Sequence, residues 1–128
     1  MTKIVIDAYT WIEYLEDSEK GRKAAETIED NSNEIFTSSA TVAEVISKFL
    51  RANKDVKIAI NCLNNVSNVV SVNQEIANLA GHMHYEAKKK NKDFGMLDAF
   101  VAATARKLSA KILTGDPDFK NFKDVVMI

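Results

Sequence analysis

Short apolar runs alternate along the chain with segments of helical periodicity. The apolar runs predict strands at about 3–6, 34–37, 68–72, 111–114 and 124–128. Between them, apolar residues recur at three- and four-residue spacing, which predicts helices at about 10–17, 20–30, 42–51, 55–65, 74–90 and 96–109. Strands that are separated by helices favour a parallel sheet. The pattern therefore predicts one α/β domain over residues 1–128, with about five parallel strands and helices on both faces of the sheet.

The third and fourth helices each carry an apolar stripe, which predicts that one side of each helix is buried. The stripe of the third helix is formed by Val42, Val45, Ile46, Phe49 and Leu50. That of the fourth contains Ile58, Ala59, Cys62 and Leu63.

The composition and net charge of the chain limit the classes of protein to which it can belong. A length of 128 residues with 46% hydrophobic residues suits one domain with a real core. The formal net charge of -1 gives no overall basic field, which argues against a pure nucleic-acid-binding module but not against an enzyme with a local basic patch. A single cysteine, no signal peptide and no apolar run near the ~20 residues of a membrane span lead us to expect a cytoplasmic protein without a membrane segment.

Acidic residues stand where the predicted elements begin or end. Asp7 follows the first strand, Asp116 follows the fourth, and Glu44 and Asp98 lie near the starts of two helices. Open α/β sheets bind ligands at the carboxyl edge of their strands. Carboxylate oxygens suit hard cations such as Mg²⁺ or Mn²⁺, and no histidine or cysteine cluster competes for a metal. These four acids therefore predict a shared metal site.

Each acid also has a purely structural explanation. Asp7 could cap the first helix, and Glu44 could complete a capping box with Thr41. Asp98 could complement a helix dipole, and Asp116 could open the turn before a proline. Both explanations remain open on the sequence alone.

Four segments together resemble the PIN-domain family, in the right order and over the whole chain. They are Ile4–Asp7, Thr41–Val45, Leu97–Ala105 and Ile112–Phe119, of which the last two are the more specific. The length is similar to that of VapC-type toxins. The resemblance implies a metal-dependent endoribonuclease that hydrolyses RNA phosphodiester bonds with Mg²⁺ or Mn²⁺. It also implies a toxin–antitoxin pair, with a cognate antitoxin and a homodimer as partners.

The resemblance assigns roles to particular residues. Asp7, Glu44, Asp98 and Asp116 would be the catalytic and metal-binding acids. Thr114 and Asp118 would support them. The family often has a small hydroxyl or amide residue two places after the first aspartate, where this chain has Tyr9, so Thr10 would take that supporting role by a shift of one place.

A group of lysines at the end of the fifth helix is a candidate surface for the RNA backbone. The group consists of Lys88, Lys89, Lys90 and Lys92. The alternative is a solvated helix end whose positive charge suits the helix dipole.

Three other functions can be judged by the residues that each would need at particular positions of this chain. A response-regulator receiver needs a phosphoacceptor aspartate after the third strand, where this chain has Ser71–Gln74. A haloacid-dehalogenase-like phosphatase needs a second aspartate at the position of Tyr9, although Gly115–Asp116 is similar to that family too. A catalytically silent α/β binding module, whose acids act only as helix caps, is the third.

Overall fold

The computed structural model describes residues 1–128, which form five strands and six helices, with two helices after each of the first three strands. The strands are β1 (Thr2–Ile6), β2 (Asn33–Ser38), β3 (Asn68–Val70), β4 (Lys111–Thr114) and β5 (Val125–Met127). The helices are α1 (Ala8–Leu15), α2 (Glu19–Ile28), α3 (Ser39–Arg51), α4 (Val56–Val66), α5 (Gln74–Lys88) and α6 (Met96–Leu108), and a short 3₁₀ turn covers Pro117–Phe119. The predicted elements are all present, with ends that differ by a few residues.

The sheet is entirely parallel, with the strand order β3-β2-β1-β4-β5. The first strand is therefore central, and β4 lies directly beside it with Ile6 opposite Leu113. Because both strands run in the same direction, their carboxyl ends meet at one edge of the sheet. The acids that follow them are brought to that edge.

Helices cover both faces of the sheet. Because successive residues of a strand point to opposite sides, one strand contributes side chains to the core on each face. Val5 of β1 packs into a core with α5 and α6, whereas Ile4 and Ile6 pack into a second core with α1 to α4. The small side chains of α6, among them Ala99, Ala102 and Ala103, are fully or nearly fully buried in the first of these cores. This is the predicted α/β architecture.

Two predicted core residues lie at the surface instead. Leu50 in the last turn of α3 is 59% exposed, and Ile58 in the first turn of α4 is 62% exposed. Helical periodicity shows which side of a helix is apolar, but not whether another element covers that side along its full length. Other residues of each stripe are buried, among them Val45 of α3 and Leu63 of α4.

The predicted capping box between Thr41 and Glu44 is wrong. Helix α3 begins at Ser39, and its cap is Ser38, whose hydroxyl accepts a hydrogen from the Ala40 amide at 3.2 Å. Thr41 is already inside the helix and buried. Glu44 therefore has no capping role.

No helix of the chain combines the length and the apolar composition that crossing a membrane requires.

Candidate metal centre

Asp7 is held at the carboxyl end of β1 by two hydrogen bonds. Its Oδ1 accepts from the Thr10 amide at 3.0 Å, which caps α1, and its Oδ2 accepts from the Thr114 hydroxyl of β4. The side chain is almost fully buried. Burial raises the pKa of Asp7, the hydrogen bonds from Thr114 and Thr10 lower it, and the nearby charge of Asp116 raises it further. Asp7 thus caps a helix and is also tied to the next strand.

The Thr114 hydroxyl links the first acid to the last. It donates to Asp7 and accepts from the Asp116 amide at 2.9 Å. Thr10 strengthens the same junction, because its hydroxyl donates to the Leu113 carbonyl at 3.3 Å. Both threonines are fully buried. The two predicted supporting hydroxyls therefore lie between α1 and β4 and fix the positions of the acids around them.

Three carboxylates converge beside this junction. One oxygen each from Asp98, Asp116 and Asp118 lies within 4.8 Å of the others. Asp98 comes from the first turn of α6, and the other two come from the turn after β4. Two of the predicted metal ligands are thus together, and Asp118, predicted as a supporting residue, completes the group. We refer to these three residues as the acidic cluster.

Each acid of the cluster uses one oxygen for orientation. Asp98 Oδ2 accepts from the Gly95 amide at 2.9 Å, Asp116 Oδ1 accepts from the Asp118 amide at 2.9 Å, and Asp118 Oδ1 accepts from Asn91 Nδ2 at 3.0 Å. The second oxygen of each carboxylate has no hydrogen bond and no ion pair in the structure. Three oriented carboxylates with three uncommitted oxygens are a donor set of the kind that Mg²⁺ and Mn²⁺ bind.

The negative charges of the acidic cluster repel one another. Burial raises the pKa of Asp98 to about 6, and the charges of Asp116, Asp118 and Glu44 act in the same direction, while the Gly95 amide lowers it. No lysine or arginine forms an ion pair with the three acids. Like charges at this separation favour protonation or a bound cation. A divalent cation fits the cluster on these grounds.

Asp7 and Glu44 lie outside the 4.8 Å group. Glu44 forms an ion pair with Lys48 at 3.3 Å and is close enough to Asp98 to raise its pKa. Asp7 is near Asp116 through Thr114, and both of its oxygens already accept a hydrogen bond. The structure thus places these two acids at the border of the acidic cluster rather than within it.

Helix capping and metal binding do not exclude one another here. Asp7 caps α1, Asp98 forms a capping contact with Gly95, and Asp116 caps the 3₁₀ turn. Asp98 and Asp116 each use a single oxygen for the cap. The structural explanation is therefore correct for these three acids. It still leaves one free oxygen each on Asp98 and Asp116.

Tyr9 occupies the place where the resemblance implies a smaller polar residue. Its ring lies against Gly115, where an added Cβ would be 2.3 Å from the ring, and its hydroxyl accepts from Lys20 Nζ at 3.1 Å. Thr10 makes the contacts with Asp7 and Leu113 instead.

The four lysines predicted to face RNA differ in their surroundings. Lys88 Nζ donates to the Lys92 carbonyl at 2.7 Å, and Lys89 Nζ lies 3.3 Å from Glu86 and 4.5 Å from the Tyr85 ring centroid. The side chains of Lys90 and Lys92 have no partner. Only these last two amino groups are free.

Asn91 and Gly95 are parts of the site that the sequence reasoning missed. Both lie between α5 and α6 and orient Asp118 and Asp98. The only feature of the sequence that could have indicated a role for them is their place in the loop before the Leu97–Ala105 segment. The contact itself was not predictable, because Asn91 and Asp118 are 27 residues apart in sequence.

Comparisons with known proteins identify the family of the chain and relate its fold to solved structures. The model of the PIN domain family matches residues 4–125, and the chain belongs to that family. No protein with a curated description matches it by sequence. The fold is similar to that of solved toxin–antitoxin structures. A toxin–antitoxin complex from Klebsiella pneumoniae has a TM-score of 0.76 at 21% identity, over 97% of this chain and 96% of that one.

Two further structures are similar over nearly their full lengths. VapBC2 from Rickettsia felis, solved with a DNA fragment from its promoter, has a TM-score of 0.77 at 15% identity and covers 99% of this chain and 98% of that one. VapC20 from Mycobacterium tuberculosis, described as a toxin that cleaves the sarcin–ricin loop, has a TM-score of 0.76 at 17% identity and covers 98% of each chain. At these identities the likeness establishes the fold.

Proposed function

We propose that this protein is an endoribonuclease that depends on Mg²⁺ or Mn²⁺ and acts as the toxin of a toxin–antitoxin pair. The observation that carries the proposal is the set of three uncommitted carboxylate oxygens on Asp98, Asp116 and Asp118 at the carboxyl edge of the sheet. In an open α/β fold this edge is where ligands bind. Membership of the PIN-domain family supports a nuclease rather than a phosphatase.

The residues around the cluster have separable tasks. Asp98, Asp116 and Asp118 would hold the cation, with Asp7 and Glu44 as further acids at the border of the cluster. Thr114 and Thr10 fix Asp7, and Asn91 and Gly95 orient the acids that they contact. A bound divalent cation supplies an activated water and offsets the negative charge on the phosphoryl oxygens.

The partners of the proposed toxin follow from its relatives. The similar structures include toxin–antitoxin complexes, so we expect a cognate antitoxin protein for this chain as well. We also expect a homodimer in the cytoplasm. The exposed apolar side chains of Leu50 and Ile58 provide surface that a protein partner would cover.

Cleavage of single-stranded RNA tests the function. The purified protein should cleave RNA with Mg²⁺ or Mn²⁺, and EDTA should stop it. Asp98→Asn should lose at least about a hundredfold in rate, since charge stabilisation at a reacting group is commonly worth that much. Asp55→Asn is the matched control, because Asp55 caps α4 with one oxygen and does not belong to the acidic cluster. Equal cleavage by wild type and Asp98→Asn, or cleavage in EDTA, would contradict the proposal. No cleavage by the wild type with either metal would favour a silent binding module.

A further inference from the structure

A cavity of about 380 Å³ opens beside the acidic cluster, between α5, α6 and the segment that follows β4. This volume lies within the roughly 300–1,000 Å³ of typical small-molecule sites. The proposed nuclease reaction gives the cavity no role. Its lining divides into an apolar floor, a basic rim and a polar edge.

Two of the five hydrophobic residues that line the cavity are aromatic. Phe94 is fully buried and stacks on Phe122, with ring centroids 5.1 Å apart and an angle of 20° between the planes. Phe122 is only half-buried and lines the cavity. A ring that is supported from behind and still partly exposed is a suitable surface for stacking a nucleobase.

The rim carries two cations without partners. Lys90 and Arg106 line the cavity, both are exposed, and neither forms an ion pair. Two acids line the cavity. Glu86 is already paired with Lys89 at 3.3 Å, and Asp118 belongs to the acidic cluster and accepts from Asn91. Free arginine and lysine side chains at the mouth of an apolar cavity are complementary to a phosphate group.

Hydrogen-bonding groups on the edge are also free. Asn121 is exposed and makes no hydrogen bond with its carboxamide. His82 Nδ1 lies 2.9 Å from the Asn78 carbonyl, which can only accept, so Nδ1 carries the proton and Nε2 of the neutral ring is an acceptor. These groups can contact the polar edge of a base.

The cavity adjoins the proposed reaction site. Asp118 lines the cavity and also belongs to the acidic cluster, and Asn91, another lining residue, donates to Asp118 at 3.0 Å. The cavity and the acidic cluster therefore share Asp118 and lie next to one another. A larger cleft of about 560 Å³ near Met1 lacks these features, because Glu29, Asp30 and Glu34 line it and no lysine or arginine does.

We propose that this cavity binds one nucleotide of the RNA substrate next to the bond that is cleaved. The base stacks on Phe122, and the phosphate lies between Lys90 and Arg106. The inference rests on the proposed function, since it takes RNA as the substrate.

Titration of the full-length protein with single nucleotides tests the inference without any cleavage. Backbone amide NMR spectra are recorded in EDTA, so that no metal recruits phosphate to the acidic cluster. The probes are AMP, GMP, CMP and UMP, with ribose 5-phosphate as the probe that lacks a base. At least one nucleotide should produce saturable shifts at Asn91, Phe94, Arg106 and Phe122, and it should bind more tightly than ribose 5-phosphate.

Variants separate the contribution of the base from that of the phosphate. Phe122→Leu keeps an apolar side chain but removes the ring, and it should weaken nucleotide binding about fivefold or more while leaving ribose 5-phosphate unchanged. Arg106→Gln should weaken both probes about two- to fivefold. Lys107→Gln is the matched control, because Lys107 is the next residue of α6 and pairs with Glu75 outside the cavity. It should change neither affinity, and the spectrum of each variant shows whether it is folded.

Several results would overturn the inference. They are the absence of saturable shifts at the cavity, equal affinity for nucleotide and ribose 5-phosphate, and equal losses in Arg106→Gln and Lys107→Gln. Signal changes that follow protein concentration instead of nucleotide would assign the cavity to a second copy of the chain. Nucleotide binding without RNA cleavage would count against the proposed function alone, and cleavage without nucleotide binding would count against this inference alone.

Discussion

Thr114 joins Asp7 to Asp116, although Asp7 is 107 residues away from Thr114 in sequence. The hydroxyl donates to the buried Asp7 carboxylate and accepts from the Asp116 amide at 2.9 Å. One fully buried side chain thus relates the acid after β1 to the acid after β4. The relative positions of the two acids depend on it.

Thr114→Val should therefore weaken both the fold and the site. The free energy of unfolding at neutral pH should fall by about 1–3 kcal/mol, because a buried carboxylate loses a charged hydrogen bond. The pKa of Asp7 should rise further, since the bond from Thr114 lowers it. Urea denaturation measures the first effect, and NMR titration of the Asp7 carboxyl measures the second.

Thr104→Val is the matched control for this substitution. Thr104 is also fully buried, but its hydroxyl donates to the Phe100 carbonyl at 2.7 Å within α6 and meets no acid. The control should cost less stability and leave the pKa of Asp7 unchanged. Equal losses in the two variants, with no change in the pKa of Asp7, would show that Thr114 only fills space.

Asp98 should make the metal-free protein less stable at high pH. Its pKa is raised from 3.8 to about 6 in the folded state, so the folded protein binds this proton more tightly than the unfolded chain. The stabilising contribution of the proton is complete below the unfolded pKa and is lost as the pH rises through the folded pKa. Asp98→Asn, which keeps an acceptor for the Gly95 amide, should therefore raise the melting temperature in EDTA more at pH 8 than at pH 5.

Added Mg²⁺ provides the control for that measurement. It should raise the melting temperature of the wild type at pH 8 and have less effect on Asp98→Asn, because a ligand stabilises the state that binds it. A variant that melts below the wild type at pH 8 in EDTA would show that Asp98 acts as a cap without electrostatic strain.

Two helical glycines should respond to alanine in opposite directions. A Cβ at Gly21 of α2 would lie 1.9 Å from the Glu13 carbonyl oxygen of α1, whereas a Cβ at Gly81 of α5 would meet nothing within 4 Å. Gly21→Ala should cost about 1–3 kcal/mol or more, since the backbones must separate. Gly81→Ala should stabilise by about 0.5–1 kcal/mol. Urea denaturation compares both, and a tolerated Gly21→Ala would contradict the close packing of α1 on α2.

The four lysines should contribute unequally to RNA binding. Replacing Lys90 and Lys92 with alanine should reduce the log–log salt slope by about 0.7 for each phosphate contact that is lost from single-stranded RNA. Replacing Lys88 and Lys89 should have less effect, because their amino groups already have partners in the protein. Salt-dependent fluorescence anisotropy measures the slopes. Identical slopes for the two double variants would mean that the lysines act only through their total charge.

Local patterns predicted the elements, because the burial of one side of a helix or strand leaves a periodic trace in the sequence. They also predicted that Asp7 and Asp116 would share an edge, since both follow apolar strands. The exposure of Leu50 and Ile58 was not predictable, because it depends on what neighbouring elements leave uncovered.

The detail of the site depends on contacts between distant parts of the chain. Asn91 donates to one oxygen of Asp118 and orients this residue in the acidic cluster, while the other oxygen stays free. Neither the sequence around Asn91 nor that around Asp118 indicates this contact. Arg106 lies in the last turn of α6, and nothing in the local sequence distinguishes it from an ordinary solvated residue. Only the tertiary fold brings it to the same cavity as Lys90.

Binding of Mn²⁺ by the acidic cluster is tested most directly by paramagnetic broadening of backbone amide NMR signals. Substoichiometric Mn²⁺ should broaden the amides of Gly95, Asp116 and Asp118 first in the wild type and in the capping control Asp55→Asn. Asp116→Asn should lose this selective broadening while its spectrum remains that of a folded protein. Broadening that begins elsewhere, or that is unchanged in Asp116→Asn, would contradict a metal site at Asp98, Asp116 and Asp118.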